Sequence, residues 1–306
     1  MQTKSLGNIL AATSFALWGL LPLYFQFLPS PNMDELLALR ILGSVPFCLL
    51  LVIAFEGKLP SKQLLLENKR SVAFSALSGS LMCVSWYAFT WAMTNGRVLE
   101  ASLGFFINPI MVVALGVVVM KDRLTEGQII ALCLATIGIS YQIWQYGELP
   151  IIALIMASFF TLYGWCKKSV TFPAMTQLFL ESLSLAPIAI LFLLFKSATV
   201  GTVAFNSDSL TLMLYLGAAP VTLLPLIFYS MAVKRTTLTM IGLMQYIEPS
   251  LQFLLAVIVF GEVFDQVKAV TFGFIWLGLL FTVIEAGITL RNRSVNKQES
   301  AANAKS

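Results

Sequence analysis

Ten separate runs of apolar residues, each close to twenty residues long, leave this chain few ways to fold. They lie near 7–28, 34–55, 72–94, 98–120, 127–145, 149–166, 175–195, 209–233, 237–260 and 267–290. A helix crosses a bilayer with about 20 apolar residues, and in lipid a helix satisfies its own backbone polar groups. Each run therefore reads as a spanning helix. Charged residues make up only 11% of the chain, against about 25% in soluble domains. Hydrophobic residues make up 58%, more than a water-soluble fold of this size can cover. The expected class is an all-α integral membrane protein with ten transmembrane helices. The first run is longer than the apolar core of a secretory signal and nine more follow it, so it counts as the first helix.

Orientation follows from lysine and arginine, which collect on the cytoplasmic side. With the N-terminus inside, Lys4, Lys58, Lys62, Lys69, Arg70, Lys121, Arg123, Lys167, Lys168, Lys234, Arg235, Arg291, Arg293, Lys297 and Lys305 fall on the inner side. Arg97, Lys196 and Lys268 fall outside, and Arg40 lies within a span. That split, 15 to 3 with 1 in the membrane, supports both the helix count and cytoplasmic termini. The polar segment 291–306 is expected to be a disordered cytoplasmic tail.

The chain also repeats itself. Residues 92–109 (AMTNGRVLEASLGFFINP) align without a gap on 232–249 (AVKRTTLTMIGLMQYIEP), at an offset of 140. At the same offset Asp122 meets Glu262 and Gly138 meets Gly278; Pro46 meets Pro187 at 141, and FALWG ending at Gly19 meets FTLYG ending at Gly164 at 145. The expected organisation is a first five-helix repeat over 1–145 and a second over 146–290. Five is odd, so the second copy enters the membrane inverted. Inverted repeats move solutes by alternating access, one half rocking on the other about a site near the midplane.

Matched interruptions in the two halves point to that site. Pro109 and Pro249 are repeat equivalents that kink their helices and free the carbonyls of Phe105 and Gln245. Asn108 and Glu248 stand just before them. A carboxylate at membrane depth usually faces protein or a water-filled cavity, so Asn108, Gln245 and Glu248 are candidate cavity residues; the plain alternative is a kink that serves packing. Arg40 and Glu181 are also buried and equivalent, at an offset of 141. Counting along straight helices puts each roughly 9 Å deep from opposite faces, which leaves roughly 12 Å between them. Separate roles are expected: Arg40 for an anionic group or outer gate, Glu181 for the inner side, with snorkelling as the alternative for Arg40. Trp18 and Tyr163 are matched aromatics, each before a glycine, that either flank the cavity or pack. Trp86, Tyr87 and Trp91 read as interfacial anchors. The chain has no histidine, and its four cysteines have no metal-ligand spacing. No nucleotide-binding GxxxxGK[ST] pattern and no GxSxG nucleophile elbow occur.

These features together resemble the drug/metabolite transporter superfamily, EamA type. The second half carries the family pattern of Pro249, then Gly261-Glu262, then a glycine-bearing helix; the first half has Lys121-Asp122 where Gly-Glu is usual. The segments LEASLGFFINP (99–109), LPIIAL (149–154), QYIEP (245–249) and TFGFIW (271–276) narrow the resemblance to one bacterial inner-membrane branch. It implies ten helices, both termini cytoplasmic, and export or exchange of small organic metabolites or drugs. The expected partners are a small-molecule substrate, membrane lipid and, as coupling ion, a proton carried by Glu248 or Glu181. Nucleic acid, cofactor, metal and enzymatic activity are not expected. A monomer suffices, with a homodimer as the alternative. The competing readings are a membrane-embedded assembly protein and a lipid-acting enzyme.

Overall fold

The computed structural model describes residues 2–28, 32–95, 97–147, 151–259, 261 and 266–303. Among them there is helix and no strand. The helices are α1 (Gln2–Phe25), α2 (Met33–Glu56), α3 (Lys62–Glu67), α4 (Lys69–Thr94), α5 (Val98–Val118), α6 (Glu126–Tyr146) and α7 (Ile151–Ser169). They continue with α8 (Ala174–Thr199), α9 (Val203–Asn206), α10 (Ser209–Val233), α11 (Leu238–Gln245), α12 (Ile247–Ile258) and α13 (Gln266–Asn303). Polar residues at the ends set the boundaries. Asn32, Thr125, Asp208 and Thr237 each accept a backbone N–H of the first turn of α2, α6, α10 and α11. Gly57 and Gly147 close α2 and α6 in the left-handed conformation.

Nine helices among the described residues are long and apolar enough to cross a membrane, α11 and α12 counting together as Leu238–Ile258. The run expected at 98–120 forms α5, in which Ser102–Val118 is apolar. The apolar character is not confined to one face. On α8, Met175, Leu178 and Leu193 are buried while Ile188, Leu191, Leu194 and Phe195 are exposed. Apolar exposure along the whole helix suits lipid, not water.

The chain divides into two compact units, one of Met1–Asp122 with Pro150–Glu262, the other of Arg123–Leu149 with Val263–Ser306. In the first, α2 packs on α8 and α10, α4 on α7 and α8, α1 on α10, α11 and α12, and α5 on α7 and α11. Glycines set the closest approaches. A Cβ at Gly242 would stand 2.8 Å from the Pro109 carbonyl oxygen, and one at Gly79 would stand 2.9 Å from that of Glu181. In the second unit α6 and α13 pair, and the Glu285 carboxylate accepts from the Thr125 hydroxyl at 2.5 Å. The backbone of α13 stays helical to Asn303, through most of the segment whose composition suggests disorder. Its Ala, Arg, Lys, Gln and Glu residues are good helix formers.

The turn after α5 explains the departure at Lys121-Asp122. Lys121 has φ 57°, and its repeat equivalent Gly261 has φ 65°. Both halves make a left-handed turn here, at no steric cost for glycine and at about 1 kcal/mol for lysine. Asp122 then accepts from the backbone N–H and the hydroxyl of Thr239 at 3.2 and 3.1 Å, in the first turn of α11. Glu262 lies outside the described residues. Lys121→Gly is expected to stabilise the protein by about 1 kcal/mol, read as a higher melting temperature in detergent; an unchanged or lower value would show that the turn carries no strain.

Candidate functional site

A cavity of about 50 Å³ opens in the first unit among α2, α4, α7, α8 and α10. It has room for roughly three to five waters at 10–15 Å³ each. Arg40 and Ser44 enter from α2, Met82, Cys83 and Trp86 from α4, Tyr163 from α7, Glu181 and Ser182 from α8, and Thr222 from α10. The Arg40 guanidinium carbon stands 3.6 Å from the Trp86 ring centroid, a cation–π contact. Its buried Nε has no hydrogen-bond partner, and no carboxylate pairs with it among the described residues.

Glu181 has the opposite surroundings. Its Oε1 accepts from Lys167 Nζ at 2.6 Å and from the Ser78 hydroxyl at 2.8 Å, all three residues being buried. The pair joins α7 to α8, and Ser78 adds α4. Tyr163 lies directly above it, with Lys167 Nζ 5.0 Å from its ring centroid, and stacks on Tyr229 at 5.7 Å and 12°. Tyr229 can reach across because residue 164 is glycine: a Cβ there would stand 2.6 Å from the Tyr229 hydroxyl. Trp18 touches the same cluster, 5.7 Å from Tyr229 and 6.0 Å from Phe160.

The structure thus puts Arg40, Glu181 and Tyr163 on one cavity. Trp18 is buried in the aromatic cluster and is not among the lining residues. Asn108, Gln245 and Glu248 are buried but do not line this cavity. Asn108 Oδ1 accepts from the Thr161 hydroxyl at 3.2 Å, joining α5 to α7. Gln245 and Glu248 flank a break at Tyr246, where α11 ends and α12 begins. Pro249, third residue of α12, has no N–H for the Gln245 carbonyl, and the Tyr246 N–H turns instead to Leu243 at 3.4 Å. Its equivalent Pro109 sits within an unbroken α5. Glu248 is met by Gln252 Nε2 at 3.4 Å, and Gln245 Oε1 has no partner.

A profile of the EamA-like transporter family matches residues 5–143. The protein RarD of Salmonella typhi is 36% identical over 95% of this chain and 99% of its own length. The chain belongs to the EamA-like transporter family. Another relative, the uncharacterized transporter YojE of Bacillus subtilis, is 37% identical over 91% of this chain and 93% of its own. A solved crystal structure with 16% identity superposes with a TM-score of 0.70, covering 92% of this chain and 98% of the other, which places the two in one fold. Membership makes the chain a multi-pass membrane protein of a transporter family.

Two residues of this site, one on the cavity wall and one behind it, escaped the sequence reading. Trp86 reads as an interfacial anchor, yet it stacks on Arg40. Lys167 reads as a cytoplasmic loop charge, yet it is wholly buried on Glu181. Its neighbours in the same charge count are tied down as well. Lys168 donates to the Val233 and Thr236 carbonyls at 3.1 and 2.5 Å, and Lys234 donates to that of Phe172. Burial and the nearby Lys167 charge push the Lys234 ammonium down to about 8. The sequence signal for Lys167 is its position three residues after Gly164, on the face that continues Tyr163.

Removing one partner of a buried pair costs about 3–5 kcal/mol, because the other charge is left uncompensated. Lys167→Met is expected to melt well below the parent in detergent, and Lys167→Met with Glu181→Gln to recover most of the loss. A double variant as unstable as the single one would show that Lys167 acts through packing alone.

Proposed function

We propose that this chain is a secondary transporter, an exporter or exchanger of small organic metabolites or drugs, working by alternating access. The moving halves are the five-helix repeats 1–145 and 146–290, inverted in a bacterial inner membrane with both termini cytoplasmic. Ten spans are needed for that arrangement, with α5 as the fourth and α11 and α12 together as the ninth. The packing supports the symmetry. Exchanging the halves turns the α1–α10 contact into α4–α7, and the α2–α10 contact into α4–α8. The pairs α2–α8, α5–α11 and α6–α13 each map onto themselves.

The observation that carries the proposal is the unpaired Arg40 in a cavity walled by both halves. A cation without a counter-ion at membrane depth is expensive, and such residues usually mark a substrate or ion path. Family membership supports the same reading. The cavity is too small for a metabolite, which fits a state closed around the site and opened alternately to either side. Asn108, Gln245 and Glu248 are proposed to line the path as it opens, beside the break at Tyr246. Trp18 and Tyr163 hold equivalent places in the aromatic wall. Glu248 or Glu181 is the candidate proton carrier.

Cells overproducing the protein are expected to accumulate its solute outside. Arg40→Ala, at matched abundance in the membrane, should cut that export by roughly tenfold or more, the loss of one charge-assisted contact. Metabolite profiling of the medium reads the result. Equal profiles for parent and variant would remove Arg40 from the path, and equal profiles for parent and empty cells would count against export.

A further inference from the structure

The polar groups on the cavity wall are unequally free, and the inequality selects a ligand. The hydroxyls are committed to backbone of their own helices. Ser44 donates to the Arg40 carbonyl at 2.6 Å, Ser182 to that of Leu178 at 3.0 Å, and Thr222 to that of Ala218 at 2.7 Å. The Glu181 carboxylate is neutralised by Lys167 and also holds the Ser78 hydroxyl. What remains is the Arg40 guanidinium, whose buried Nε has no hydrogen-bond partner; the Tyr163 hydroxyl lies beside the Glu181 carboxylate. Counting Lys167, Glu181 and Arg40 leaves one net positive charge. The other walls are aromatic and aliphatic: Trp86, Met82, Leu178, Leu223 and Leu226.

We infer that the site takes organic monoanions, a single carboxylate on an apolar or aromatic body. The carboxylate is an acceptor-only group whose two oxygens match the guanidinium fork. Its one charge cancels the one uncompensated charge of the cavity. Trp86 already holds the guanidinium flat by stacking on it, so the fork is oriented before the ligand arrives. An organic cation would meet Arg40 head on, and the Glu181 charge is already balanced by Lys167. A sugar or nucleoside would leave the Arg40 charge uncompensated. The closed cavity accepts the carboxylate head, and the carbon body enters as the helices part. The inference rests on the transport reading only for passage across the membrane; the binding step stands by itself.

The test uses the full-length protein purified in detergent, with three probes of one shape and different charge: phenylacetate, benzyl alcohol and benzylammonium. Phenylacetate is expected to raise the melting temperature and change the tryptophan fluorescence in a saturable way, and the other two to do neither. Arg40→Gln should weaken phenylacetate binding roughly ten- to a hundred-fold, while Arg40→Lys, which keeps the charge, retains part of it. The inference is overturned if benzyl alcohol or benzylammonium stabilises the protein as well as phenylacetate does, if Arg40→Gln binds phenylacetate like the parent, or if no probe binds up to solubility. Counterflow of labelled phenylacetate in proteoliposomes separates the two claims. Binding without flux keeps the ligand class and counts against transport; flux of the neutral or cationic probe alone keeps transport and overturns the ligand class.

Discussion

Buried charge in an apolar solvent is the constraint on which the rest of this protein turns. Lipid offers no water to a carboxylate or an ammonium, so each needs a partner inside the protein or a wet cavity. Glu181 has its partner. Lys167 and Ser78 meet one of its oxygens from two other helices, so the charge also fixes the mutual placement of α4, α7 and α8. The backbone cooperates: Gly79 lets α4 come within van der Waals contact of the Glu181 carbonyl, where a side chain of any size would hold the helices apart. Pair and glycine are two parts of one joint.

Arg40 sits on the same cavity and is treated differently. Its ring partner, Trp86, softens the burial of the guanidinium but supplies no negative charge. The difference between the two cations is therefore informative. One is balanced and holds helices together; the other is oriented and left uncompensated.

How far the sequence carries the reader depends on the kind of signal. Apolar length is a property of single segments, so the long helices were legible to within about five residues, apart from the C-terminal end of α13. Arg40, Glu181 and Tyr163 were legible as site candidates because charge at membrane depth is rare and because each has a repeat equivalent. Their meeting on one cavity was not, since depth counted along straight helices ignores tilt, proline and the width of a cavity. Lys167 was hidden by its neighbour Lys168: a pair of lysines at the end of an apolar run is what a cytoplasmic anchor looks like. Trp86 was hidden in the same way by Tyr87 and Trp91, which are exposed. In both cases the face of the helix decides, and the face is set by packing partners far away in sequence.

The two prolines show where a repeat stops predicting. Pro109 and Pro249 occupy equivalent positions, yet α5 runs through the first while the second follows a break at Tyr246. Proline removes one backbone bond in either half; whether the helix then bends or parts depends on what holds the flanking turns. On α5, Asn108 is tied to Thr161 on α7, and the Pro109 carbonyl lies against Gly242. On the other side the Glu248 side chain is met by Gln252 of its own helix and Gln245 keeps an unmatched oxygen, while α1 packs on both α11 and α12 across the turn. Matched prolines in unlike surroundings thus leave α5 continuous and put a one-residue turn at Tyr246 in its counterpart.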